Sequence, residues 1–240
     1  MPTGLWEWLD GFDAVRSEMD AWRDFNAPQD LADLLPGPIS VENDATAACW
    51  AEWAFGDQTQ KPDSIYFFIG TFVGGGIVLN GRVFRGCHGN AGGFGPVRVP
   101  DQPGGSRLID HASLIVLERM LRAAGRRTNL ADLPAENWSS LEPVLSDWIK
   151  RVSIGLAHAI ISSAAVIDFA EVIIDGPFPA NLRDRLCTEV DAQLDRMDLQ
   201  GIMRPRLAPG SFGSVARALG AAATHISQRY MVDNPQAPLG

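Results

Sequence analysis

The run FFIGTFVGGGIVLNGRVFRG, Phe67 to Gly86, constrains the fold more than any other stretch of the chain. Apolar, β-forming residues lie on both sides of three consecutive glycines, Gly74–Gly76, and the run then reaches Asn80-Gly81. An Asn-Gly pair between apolar runs marks a two-residue hairpin, because both central residues of such a turn need positive φ. Three consecutive strands are therefore expected, with the first turn at the glycines and the second at Asn80-Gly81. A meander of this kind forms one side of a mixed sheet.

The elements around it extend the pattern. PISVEND reads as a short strand running straight into the Ala-rich helix ATAACWAEWAFG, which Gly56 stops. Beyond the meander, GCHGNAGGFGP is a loop whose glycines let backbone pass close to a ligand. Leu108, Ala112, Ile115 and Leu121 then recur at helical spacing up to Gly125, and Val144, Trp148, Val152, Leu156 and Ile160 sustain a second, long helix. AEVIIDG is a buried strand, and Leu182, Leu186, Val190 and Leu194 give a helix at i, i+4 spacing. GIMRPRLAPG is a further strand and SVARALGAAATHISQRY a closing helix. From residue 64 onward the order is βββααβαβα, and the two strands separated by a helix are expected to be parallel. The first 36 residues, with Trp6, Trp8 and Trp22, show no sustained strand pattern and read as helices and loops.

Composition excludes several classes of function. Twenty basic against 29 acidic residues give a net charge of −9, which opposes electrostatic capture of nucleic acid or anionic lipid. Cys49, Cys87 and Cys187 are odd in number and widely spaced, so neither a disulfide framework nor a CxxC metal site is indicated and a reducing cytoplasm fits. The N-terminus is acidic and aromatic, unlike a signal peptide, and no unbroken apolar run reaches the roughly 20 residues of a membrane span.

In order and spacing, VENDATAACWAEWAFG, IGTFVGGGIVLNGRVFRG, GNAGGFG, LIDHAS, VIDFAEVIIDG and ARALGAA resemble the ROK family of bacterial sugar kinases and sugar-responsive repressors, from about Trp22 to about Ala223. The resemblance implies an α/β, ribonuclease-H-like fold of the actin/hexokinase superfamily: a partial N-terminal lobe over residues 1–60 and a C-terminal lobe over 61–240. Roughly 100 residues of a complete two-lobed fold would then lie upstream. It also implies that Asn43 binds sugar hydroxyls and that Asp44 is the general base if phosphoryl transfer occurs, with Glu42 beside them. Either Asn43 or Asp44 can also cap the helix that follows. His88, Gly92 and Gly93 fall in the sugar-binding loop, and Thr71, Gly74, Gly75 and Gly176 in the nucleotide loops. Outside that loop, His111, His158 and His225 fall on the expected helices, where packing or surface roles are the ordinary ones.

Departures from the family pattern cluster at phosphate and metal positions. The family's Gly-Thr-Gly loop reads Gly70-Thr71-Phe72 here, which places a phenyl ring where backbone amides would approach phosphates. Gly93 stands for a sugar-binding glutamate and Pro96 for a histidine that helps bind sugar and zinc. VPDQPGGSR replaces the cysteine-rich zinc motif, so no zinc site is expected. The adenosine loop, two glycines in the family, is Asp175-Gly176-Pro177, and a carboxylate there would repel a nucleotide's phosphates. The expectation is a sugar-sensing effector domain of a ROK regulator without phosphotransfer: cytoplasmic, homodimeric, with a small-molecule sugar as its partner, no membrane association, and DNA contact only through an upstream domain. No cofactor is expected. The alternative is a divergent sugar kinase, which would need ATP and Mg²⁺.

Overall fold

A computed structural model describes residues 20, 22–56, 61–102 and 105–230. Trp6 and Trp8 therefore lie outside the described residues. The chain divides into two compact units, 1–44 and 45–240. In the first, the described residues 22–24 are helical and a short helical turn spans Ala27–Asp30, and Trp22 packs edge-on against Phe25 at 5.4 Å between ring centroids. Residues 38–43 form no strand, contrary to the strand expected in PISVEND. An extended run is a strand only where a neighbour completes its ladder, and among the described residues no strand pairs with it. The expected direct passage into a helix does occur: α1 spans Asp44–Phe55.

The second unit is built on a five-stranded mixed sheet. β1 (Ser64–Ile69), β2 (Val73–Leu79) and β3 (Arg82–Phe84) are the expected meander, with Asn80 (φ 53°) and Gly81 (φ 71°) at its second turn. The first turn falls at Gly70–Phe72, and Gly74–Gly76 lie inside β2, so its expected position at the glycines is corrected. The reason is packing on both faces of the strand. A Cβ on Gly74 would stand 2.8 Å from that of Ala45, and one on Gly76 would stand 2.5 Å from that of Cys49. On the opposite face a Cβ on Gly75 would come within 2.8 Å of the Phe94 ring. The missing side chains thus let α1 seat on one face and the glycine-rich loop insert Phe94 on the other, 4.4 Å from Phe67.

Between this loop and the helices the structure adds a small hairpin absent from the sequence reading, β4 (Arg98–Gln102) with β5 (Gly105–Arg107). The expected helix from Leu108 is divided. A single 3₁₀ turn, Leu108–Asp110, is followed by α2 (Leu114–Ala123) after extended Ser113, and Ala112 lies in the break. Then come α3 (Val144–Ile167), β6 (Glu171–Asp175), α4 (Ala180–Leu194), β7 (Arg206–Pro209) and α5 (Ala216–Tyr230), all as expected. The sheet order is β3-β2-β1-β6-β7, with β6 parallel to both β1 and β7.

α3 is long and apolar enough to cross a membrane by length and composition, but Trp148, Val152, Leu156 and Ile160 are fully buried in this core, where the helix packs against α2 and α4. On the α1 side, Ala48, Cys49, Tyr66, Phe68, Ile173 and Ala216 form one continuous apolar cluster. Gly220 brings α5 onto α1, since any Cβ there would collide with the carbonyl oxygen of Ala47.

Candidate functional site

Strands β1 and β6 run parallel with Phe68 opposite Asp175, so the segments leaving their C-terminal ends are neighbours. In open α/β sheets this is where ligands bind. Thr71 and Gly176, both expected in nucleotide loops, are brought together there. Thr71 is exposed in the turn and Phe72 half-buried. Two of the turn's amides are already used: Gly70 N–H donates to Phe72 O (3.2 Å) and Val73 N–H to Ser113 Oγ (3.2 Å). The turn is also docked on α2, whose Leu114 N–H donates to Gly70 O (2.9 Å). Gly74 and Gly75 are set back along β2, where the atoms of Ala45, Tyr66 and Phe94 fill the space around them.

The segment after β6 is filled in a similar way. The Phe178 ring folds back over Gly176, leaving no room for a Cβ, and Phe178 is itself buried against Trp148. Asp175 does not face the open end of the sheet, so its expected role in repelling phosphate is corrected. The carboxylate is fully buried and accepts hydrogen bonds from Tyr66 Oη (2.9 Å), Gly176 N–H (2.8 Å) and Gly213 N–H (3.1 Å to each oxygen), with Arg183 Nε at 3.5 Å. A charge without water must be matched by donors, and these donors come from β1, α4 and the segment before α5. Burial together with this carboxylate pushes the Tyr66 phenol well above its ordinary pKa.

A second buried carboxylate holds the same segment. Glu52 on α1 accepts from Ser211 N–H (2.9 Å) and Ser211 Oγ (2.7 Å), and burial pushes its pKa up against the opposing effect of those bonds. Neither Tyr66, Glu52, Arg183 nor Ser211 was singled out from sequence. The available signal was Asp175 itself, an acid directly after the apolar run Val172–Ile174.

Sugar-loop residues are distributed differently. Gly92 (φ 82°) is buried against β2, its missing Cβ being 2.5 Å from Gly76 Cα. Gly93 and His88 are exposed, the latter in a loop closed by Ala91 N–H donating to Arg85 O (3.1 Å). Glu42 and Asn43 end the first unit half-buried, with Asn43 N–H donating to Glu42 Oε1 (3.1 Å), and half-buried Asp44 is the first residue of α1. Of the remaining histidines, His111 is buried between Gly105 O (2.9 Å) and Arg151 Nε (3.0 Å), just ahead of the helix on which it was expected. His158 on α3 has its pKa lowered by burial, and His225 on α5 is exposed.

The chain is similar to known proteins in sequence and in fold. The bifunctional enzyme NanE/NanK of Brucella melitensis is 30% identical over 209 residues, covering 83% of this chain and 37% of its own length. The chain spans half or less of the first curated relatives it matches. Among solved structures, a ROK family glucokinase from Streptomyces griseus, in complex with glucose and AMPPNP, superposes with a TM-score of 0.66 at 22% identity, over 82% of this chain and 71% of that one. A ROK family transcriptional regulator, a homologue of the E. coli MLC protein, superposes at 0.60 and 22%, over 82% and 54%. The fold is thus the actin-like ATPase fold of ROK and hexokinase-type proteins. The ROK family pattern matches residues 14–228, and this chain belongs to the ROK family.

Proposed function

We propose that this chain is a carbohydrate-sensing unit of the regulator type that binds a sugar and does not transfer phosphate, with Glu42, Asn43 and Asp44 of the first unit and His88, Gly92 and Gly93 of the second each a candidate sugar-binding residue. The observation that carries this reading is at the C-terminal ends of β1 and β6: half-buried Phe72 stands in the turn after β1, and Phe178 is folded over Gly176 after β6. Phosphoryl transfer depends on backbone amides and a cation placed around the phosphates. The amides of Gly70 and Val73 are spent inside the protein, and Gly75 is closed off by Tyr66 and Phe94. These residues do not fit a triphosphate. Sugar recognition needs only planar polar groups and hydroxyl partners, which Glu42, Asn43 and Asp44 supply. The protein would work as a cytoplasmic homodimer.

A second reading, a divergent ATP-dependent sugar kinase, is favoured by the Asn43-Asp44 pair and by relatives named as kinases. There Asp44 would take the proton from the attacking hydroxyl. Calorimetric titration with hexoses and N-acetylhexosamines, with and without Mg-ATP, separates the two. The sensor reading expects saturable heat from a sugar alone, abolished in Asp44→Asn, and no ADP formation. ADP formation that disappears in Asp44→Asn would replace it with the kinase reading.

A further inference from the structure

A cleft of about 250 Å³ lies on the helical side of the second unit, walled by the 3₁₀ segment Ala135–Leu141 and the N-terminal turns of α3 and α4. A smaller cavity, beside Glu52 and Lys61, is about 20 Å³ and has room for a single water. The larger cleft is slightly below the roughly 300–1,000 Å³ of drug-sized ligand sites, a scale that suits one sugar ring. We propose that this cleft is a second binding site, which takes a neutral, polyhydroxylated ligand of monosaccharide size.

Three features support it. The first is the inner wall, where Trp138, buried to 4% exposure beside Phe178, and the side chains of Leu145 and Leu182 offer apolar surface for a ring's C–H face. The second is the rim, where Glu136, Ser139, Glu142, Asn181 and Arg185 combine acceptors, donors and both signs of charge. Hydroxyls both donate and accept, so such a mixed rim matches a polyol. An anion is disfavoured by the two carboxylates. The third is order before binding. Arg185 donates to Glu142 Oε1 (2.7 Å) and to Ser146 Oγ (2.7 Å), while Ser146 N–H (3.1 Å) and Oγ (2.5 Å) donate to Glu142 Oε2. Burial opposes ionisation of Glu142, yet these bonds hold its carboxyl below its ordinary pKa, so it stays an acceptor at neutral pH. Arg185 has spent two of its five N–H donors and keeps three for a ligand. A rim already fixed in place has less side-chain entropy to lose on binding.

Amide chemical-shift perturbation on the full chain tests this directly, using D-glucose, methyl glucoside and N-acetylhexosamines, with adenosine and inorganic phosphate as the competing chemistries. One of the sugars is expected to move the Ser139, Ser146 and Asn181 amides saturably. Arg185→Gln, checked for an unchanged fold by its other shifts, is expected to weaken that binding about tenfold through the lost charged hydrogen bonds. Asp44→Asn should leave it intact, so failure of the Asn43-Asp44 reading and failure of this one give different results. Perturbation of the same amides by adenosine or phosphate but not by sugars overturns the proposal, as does no saturable perturbation by any probe.

Discussion

Asp175 has no contact with solvent, and its stability rests on donors delivered from three distant parts of the chain. In Asp175→Asn one acceptor oxygen becomes a donor facing Gly213 N–H or Tyr66 Oη, and Arg183 loses its counter-charge. A loss of about 3 kcal/mol is expected, read as a lower midpoint in urea unfolding. Tyr66→Phe removes one bond and leaves the carboxylate its other donors, so about 1 kcal/mol is expected in the same assay. The role of the three glycines is also set at this scale. Gly74 and Gly76 make room for a helix and Gly75 for the Phe94 ring, functions that a run of small residues cannot reveal until its neighbours are known.

At the scale of elements, close approach of backbones is what the glycines make possible. Gly220 on α5 sits over the Ala47 carbonyl and near the Ala51 amide of α1, atoms that cannot rotate away. Gly220→Ala is expected to push the two helices apart and cost about 2–3 kcal/mol. Gly81→Ala serves as the contrast, because nothing lies within 4 Å of its added methyl and only the φ of 71° is strained. About 1 kcal/mol is expected there, and thermal unfolding of the two variants separates a packing effect from a conformational one. Helix periodicity was a good guide to α3 and α4, where the expected inward residues Trp148, Val152, Leu156, Leu186 and Val190 are buried and only Val144, at the start of α3, is half-buried. It misled at Ala112, where Ser113 leaves the helical path and its Oγ instead accepts from Val73 N–H and donates to Ile109 O.

For the whole molecule, the buried Glu52 links stability to pH. Its native pKa is raised above the ordinary 4.5, so the folded state holds the proton more tightly than the unfolded chain. The stability this contributes is fully present below about 4.5 and is lost as pH rises through the native value. Glu52→Gln carries no such proton, and the difference in Tm between variant and wild type is therefore expected to move in the variant's favour from pH 4 to pH 8. A constant difference across that range would refute the linkage.

The sequence by itself determined the order of the five main-sheet strands and of the long helices between them, the meander with its Asn80-Gly81 turn and the parallel pairing of β6 with β7, because these depend on period, turn chemistry and chain connectivity that are local in sequence. Only the tertiary structure decided what the glycines of β2 accommodate, that Asp175 is buried, and that the Phe178 ring folds over the segment after β6. Those outcomes depend on which atoms from distant segments meet, and on burial converting an ordinary carboxylate into a structural anchor, neither of which is written in any one stretch of the chain.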